Sequence, residues 1–214
     1  MRDAYQITRH ATIPIERTSW NNRTIGIYIL NARIEAIETE RLSLRLWHES
    51  DFAPFAAMNA DSRVREFFPT TLTREQSDAS IRSFQAKYAK DGFGLLGAEL
   101  RDTKEFVGMV GVQVMDFAVP GVPQPVIEIG WRLAYRYWGY GLATEGAQAV
   151  LNSALHLHIT PIIAITVPEN VRSRRVMEKI GMNYVSNGDF DHPGIATGHP
   201  LRRHVLYSCS DTCL

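Results

Sequence analysis

The chain has 214 residues, 45% of them apolar and 21% charged, which is ordinary for a globular protein and long enough to bury the core of one domain. Its 23 basic and 23 acidic residues cancel to a formal net charge of zero, which argues against a general polyanion binder. No apolar run approaches the ~20 residues that span a bilayer. Both cysteines, Cys209 and Cys213, crowd the C-terminus, where a bridge would staple little and zinc would find no second ligand pair, so we read the chain as cytoplasmic and metal-free.

Residues 1–37 mix polar runs with the apolar patch IGIYIL and keep no period. They read as an extension ahead of the domain: a mobile arm, one added strand around residues 25–30, or an over-extended reading frame. From residue 38 the pattern becomes regular. ERLSLRLW alternates Leu42, Leu44 and Leu46 with Ser43 and Arg45, the period of a half-buried strand. A helix follows, capped by Ser50 or Asp51, and a second spans about 73–90 behind the pair Thr73 and Gln76, with Ile81, Phe84 and Tyr88 on one stripe.

FGLLGAEL (93–100) and FVGMVGVQVM (106–115) read as a β-hairpin, and VIEIGWRL (126–133) as the next strand beyond a proline-rich loop. YRYWGYGLATEG (135–146) then opens a helix that runs to about His156, with Ala143, Ala147, Val150, Leu151 and Ala154 facing inward. IIAITV (162–167) is a short β-branched strand. The helix after it is capped by Asn170, buries Val176, Met177 and Ile180, and stops at Gly181, before two last strands in MNYVSN and HVLYSC. This order describes a mixed sheet, antiparallel at first and parallel where helices cross over.

A strand, a short loop with Gly139 and Gly141, and a helix start together form a phosphate-binding geometry. The first backbone N–H groups of a helix have no internal partner, the helix dipole adds partial positive charge, and glycine lets the backbone approach closely. Arg136 stands just upstream as a charge-assisted donor. The Gly-Lys-Ser/Thr ending of a Walker loop is missing, and a dinucleotide fingerprint would need a third glycine and an earlier place in the chain.

The spacing of Arg136, Gly139 and Gly141 resembles the acyl-CoA loop of the GNAT superfamily of N-acetyltransferases. With EIGWRL before it, LATEGA after it, VPENVRSRRVMEKIGM further on and ERLSLRLW at the start, residues 38–208 look like the branch that contains the ribosomal-protein acetyltransferases RimJ and RimL. The resemblance implies an α/β (α+β) GNAT fold for 38–214: a mixed central sheet of about seven strands, splayed at the middle parallel pair, with flanking helices. It also implies acetyl-CoA as donor, with the diphosphate on the backbone amides of Trp138, Gly139, Tyr140, Gly141, Leu142 and Ala143 and on the Thr144 hydroxyl. The pantetheine would lie along Ile129, Gly130 and Trp131.

Acetyl transfer to an amine, a protein N-terminus or a small molecule, needs a base, an oxyanion site and a proton for the leaving thiolate. Glu128 is the candidate base, although alternation with Ile127 and Ile129 equally allows an outward-facing carboxylate. The tyrosine that serves many family members as acid falls at Met177, which cannot donate a proton; Ser173 is the substitute suggested by RimL-like relatives, with a helix-surface hydroxyl the competing reading. Asn170 reads as both cap and cofactor contact. His204 could be a second base or simply a packed histidine. Two further readings remain: a non-catalytic acyl-CoA-binding module, encouraged by Met177, and an RNA-binding domain using Tyr135, Tyr137, Trp138 and Tyr140, which neutral composition disfavours. The resemblance leaves the chain a monomer or a homodimer, with no nucleic acid or membrane partner.

Overall fold

The computed structural model describes residues 33–209; the expected strand around 25–30 and Cys213 lie outside them. Nine strands form one sheet: β1 (Ala36–Glu38), β2 (Leu42–Arg45), β3 (Leu95–Leu100), β4 (Phe106–Val114), β5 (Ile127–Leu133), β6 (Ile162–Thr166), β7 (Asn183–Tyr184), β8 (Phe190–Asp191) and β9 (Arg203–Ser208). Their order is β1-β2-β3-β4-β5-β6-β9-β7, with β8 also paired to β9. Every pairing is antiparallel except β5 with β6. Two strands exceed the seven expected. β1 and β8 hold three and two residues, too short to show a period, and exist because β2 and β9 offer them an edge. β1 straddles the expected boundary at residue 37.

Helices α1 (Phe52–Ala60) and α2 (Arg74–Asp91) cover one face of the sheet, and α3 (Leu142–His156) and α4 (Val171–Lys179) the other. Alternation along the strands divides the core accordingly. Val110, Val112, Ile127, Ile129 and Leu133 pack with Ala147, Val150 and Leu151 of α3, whereas Leu95, Phe106 and Met109 join Trp47, Phe55 and Ile81 under α1 and α2. The α2 start is the expected reciprocal cap: Gln76 N donates to Thr73 Oγ1 at 3.3 Å and Thr73 N to Gln76 Oε1 at 2.9 Å. Gly181 closes the α4 region at a φ of +83°.

Two local expectations change. Leu46 is 40% exposed rather than inward, because the β2 ladder ends at Arg45 and the chain turns into a 3-10 turn over Glu49–Asp51. Asp51 stands at the N-cap position of α1, as one of the two expected caps, but its side chain makes no cap bond to that helix. It accepts the His48 amide at 2.8 Å and grips Arg45 through two N–H bonds of 2.7 and 2.9 Å, while Arg45 Nε donates to Glu99 at 2.8 Å. The hydrogen bond to Asp51, foremost among its acidic contacts, raises the Arg45 pKa. This charge cluster ties the entry of α1 to β2 and β3.

Among the described residues no helix is long and apolar enough to cross a membrane, and no group of three or more His, Cys, Asp or Glu could hold a metal ion. Asp51→Ala removes two charge-assisted bonds from the Arg45 guanidinium, which is 15% exposed and keeps only Glu99 as an acidic partner. We expect it to cost about 3 kcal/mol in urea unfolding. Asp78→Ala, which breaks only the exposed i,i+4 pair with Arg74, should cost under about 0.5 kcal/mol.

Candidate functional site: a cleft where the sheet parts

β5 and β6 stay paired for two positions only, Ile127 with Ile162 and Glu128 with Ile163. β4 holds β5 along its whole length, from Ile127 to Leu133, and β9 holds β6 from Ile163 to Thr166, so each strand is anchored on its outer side while the inner edges separate. A cleft of about 640 Å³ opens between them, with Ile129 to Leu133 on one wall and Ile165, Thr166 and Val167 on the other.

On the α3 side the cleft ends at the glycine loop. After β5 the chain makes a 3-10 turn over Tyr135–Tyr137, then passes Gly139 at φ +84° and Gly141 at φ +80°. An added Cβ at Gly139 would meet nothing within 4 Å, so what requires glycine there is the left-handed backbone rather than space. Gly141 caps α3, which begins at Leu142. The first helical bond runs from Glu145 N to Gly141 O at 3.0 Å, leaving the amides from Gly139 to Thr144 without a backbone acceptor among the described residues. Of the expected amides Trp138 drops out, because its N already donates to Tyr135 O at 3.1 Å, and that of Thr144 joins them.

Of the aromatic residues of the loop, Tyr137 and Trp138 line the cleft. Trp138 Nε1 donates to Leu133 O at 2.8 Å and its ring lies 5.1 Å from that of Tyr135. Tyr140 is 66% exposed. Arg136 turns away from the cleft and pairs with Glu105 at 2.6 Å, so its side chain is engaged elsewhere. A brace not foreseen from sequence holds the loop from behind: Arg41 Nη1 donates to Tyr140 O at 2.9 Å, and its Nη2 lies 2.6 Å from Glu145 of α3. Arg41 and Glu145 stand 104 positions apart, which hides the brace from local reading.

Asn170 caps α4 as expected, its Oδ1 accepting Ser173 N at 3.2 Å, while its Nδ2 donates to Thr166 Oγ1 at 3.0 Å across the wall of the cleft. Ser173 and Met177 both line the cleft, Met177 at 1% exposure. Leu142, Ala143, Thr144, Ile129, Gly130 and Trp131 line it too.

The α1/α2 side is built differently. Glu128, Gly130 and Arg132 alternate onto one face of β5 and line the cleft, so Glu128 faces inward to the cavity rather than outward. Gln113, its neighbour across the β4–β5 ladder, donates from Nε2 to Glu128 Oε2 at 3.3 Å. Phe67, Phe68 and Phe84 form an apolar wall nearby. His192 and His204 line another part of the cleft with ring centroids 4.9 Å apart, and burial is the first cause that pushes each imidazole below its ordinary pKa. His156, His158 and His199 stand outside it. Arg132 was not singled out as a site residue, although the period of two in VIEIGWRL places it on the same face as Glu128.

Residues 41–183 match the family described as Acetyltransferase (GNAT) domain. The chain is 31% identical over 157 residues to the protein YkkB of Bacillus subtilis (strain 168), covering 72% of this chain and 88% of that one. It is 32% identical over 147 residues to the N-acetyltransferase YnaD of the same organism, covering 68% and 81%. In fold it is similar to RimL, a ribosomal L7/L12 alpha-N-protein acetyltransferase solved in complex with coenzyme A, at a TM-score of 0.65 and 13% identity over 81% of this chain and 97% of RimL.

The electrostatics of the fork between β5 and β6 shift the Glu128 pKa upward. Burial raises its pKa first; the Gln113 hydrogen bond and the charges of Lys87 and Arg132 oppose that rise without cancelling it. A carboxyl-resolved NMR titration should therefore place Glu128 above the ~4.3 of an ordinary glutamate. Gln113→Leu removes the N–H that stabilises the carboxylate, so the midpoint should move further up; a fall would contradict this account.

Proposed function

The chain belongs to the GNAT acetyltransferase family, and on that footing we propose that it transfers acetyl from acetyl-CoA directly to a primary amine in a ternary complex, with Glu128 as the base. The observation that carries this reading is one cleft with a run of free helix-start amides at one end and a desolvated carboxyl at the fork of the parted strands. The donor set fits acetyl-CoA. Successive amides from Gly139 to Thr144, at the start of a 15-residue helix, have no backbone acceptor and are available to an anion. The open edge of β5 at Ile129, Gly130 and Trp131 presents backbone groups to an amide-bearing arm.

Bound acetyl-CoA supplies the thioester carbonyl that the amine attacks, the C–S bond breaking as the C–N bond forms. The chain's own part is acid–base work and alignment. Glu128 accepts the proton that the amine must lose, a task suited to a carboxyl whose pKa is raised toward neutrality. The backbone N–H groups around Gly130 and Trp131 stabilise the developing oxyanion. Met177 fills the place of the usual tyrosine with a group that cannot donate, and the proton for the leaving thiolate is relayed through the Ser173 hydroxyl, which opens on the same cleft and regains its own proton from solvent water. The acceptor is a primary amine, the class that includes the protein N-terminus acetylated by RimL.

Acetyl-CoA at ~100 times its dissociation constant should stabilise the protein by about 2.7 kcal/mol in thermal unfolding, and an amine panel should release free thiol. Glu128→Gln should lower kcat/KM on the order of 100-fold while keeping the acetyl-CoA stabilisation. Unchanged turnover would remove Glu128 as base, and absence of any stabilisation would remove the donor assignment.

A further inference from the structure

Arg132 is held where an ordinary surface arginine would not be. Its Nη1 donates to Asn59 Oδ1 at 3.0 Å, and Asn59 Nδ2 donates to Ser77 Oγ at 2.9 Å. Asn59 on α1 and Ser77 on α2 are both 0% exposed, so two fully buried polar residues from different helices aim this one guanidinium. Burying them is costly unless they are hydrogen-bonded, and their bonds lead to Arg132. The guanidinium lies 4.3 Å from the Phe68 ring centroid, and the Arg65 guanidinium sits at 4.0 Å on the same ring. Arg132 Nε is buried with no partner.

Three other cations near the cleft are paired with carboxylates, whereas Arg175 and Lys179 of α4 line it without an ion pair among the described residues. Arg63 pairs with Asp61 and Lys87 with Asp116, each at 2.6 Å, and Arg172 pairs with Glu66. Neither Arg132 nor Arg65 has a carboxylate within ion-pair distance among the described residues. Burial pulls Arg132 down to about 9, with the Arg65 charge adding to the effect and Glu128 opposing it, and burial lowers Arg65 as well. A guanidinium offers five N–H donors in a planar fork, and Arg132 uses one of them within the protein. What is missing is an anion.

We propose that the acceptor is an amino-acid-like amine with an apolar body and a carboxylate, and that Arg132 binds the carboxylate while Glu128 receives the amine's proton. This rests on the acetyltransferase reading above. Glu128 and Arg132 share one face of β5, roughly 13 Å apart along the backbone, both line the cleft, and each lies close enough for its charge to act on the other. Gly130 lies between them without a side chain, and a Cβ there would meet only Leu95 Cδ2, at 3.7 Å, which leaves room over the strand. Phe67, Phe68 and Phe84 face the apolar body. Asn59 and Ser77 hold Arg132 from α1 and α2, whereas the free amides of the glycine loop start α3 on the opposite face. The two anion sites are therefore separate.

The test measures thiol release from acetyl-CoA by the full chain with phenylalanine, methionine and leucine, each against its primary amide at equal free-amine concentration. The wild type should favour the acids in kcat/KM by at least about tenfold. Arg132→Gln should abolish that preference, lowering the acids at least about tenfold more than the amides, with the KM for acetyl-CoA unchanged. Arg132→Lys, which keeps the charge but not the fork, should recover part of it. Equal use of acids and amides by the wild type, or a preference that survives Arg132→Gln, overturns the proposal and leaves acetyl transfer standing. So does a parallel loss of acetyl-CoA affinity in the variant, which would give Arg132 to the donor's phosphates. If Arg132→Gln fails to fold, the wild-type comparison and Arg132→Lys decide. No thiol release with any amine, together with no stabilisation by acetyl-CoA, overturns both readings.

Discussion

The rest of the molecule depends on the parting of β5 and β6. A sheet interior normally satisfies every backbone N–H and C=O, and a buried group left without a partner costs about 1–3 kcal/mol. Here two inner edges open in the middle of a nine-stranded sheet after only two paired positions. The opening persists because neither strand relies on the other for order. β4 fixes β5 along its full length, β9 fixes most of β6, and one apolar core under α3 and α4 includes Ile127 and Ile129 from one strand and Ile162 and Ala164 from the other. The exposed backbone groups thus face a cavity rather than a neighbour, and a ligand with amides of its own can satisfy them.

Two arginines on the same sheet separate what the fold needs from what the cleft needs. Arg45 lies among Asp51 and Glu99, and its hydrogen bond to Asp51 holds the pKa above the ordinary value; it joins α1 to the strands. Arg132 is held by neutral Asn59 and pulled down to about 9 by burial. Glu128, four residues earlier, is shifted by the same cause in the other direction, because desolvation disfavours whichever form is charged. An acid pushed up and a base pushed down on one strand face do little for stability. Such opposed perturbations in a cleft are the mark of groups arranged for a ligand.

What could be read from the sequence follows from how local each feature is. The Thr73 and Gln76 cap, Asn170 at the start of α4 and Gly181 at its end depend on residues within a few positions of one another, and all three appear where the pattern places them. The alternation in β2 predicts Leu42 and Leu44 correctly but misplaces Leu46, since nothing in the period says where the ladder stops. β1 and β8 escape notice because two or three residues carry no period. Arg136 matches a motif yet pairs with Glu105, and Asp51 takes a cap position yet spends its carboxylate on Arg45 and His48; in each case the motif places the residue but not the partner of its side chain.

The two halves of the cleft differ in the same respect. The half proposed for the donor is made of backbone: positive φ at two glycines and a helix start, all within ten residues, so a short string of letters is enough to suggest it. The half proposed for the acceptor is made of side chains from α1, α2, β4 and β5, and its central contact, Arg132 with Asn59, joins positions 73 apart. Backbone geometry can recognise only what every donor molecule shares, a diphosphate and an amide-bearing arm. Selection among amines needs side chains, which can change one at a time without disturbing the strands that carry them. A family member's donor is therefore written in adjacent residues, and its acceptor in pairs that become visible only when distant elements are brought together.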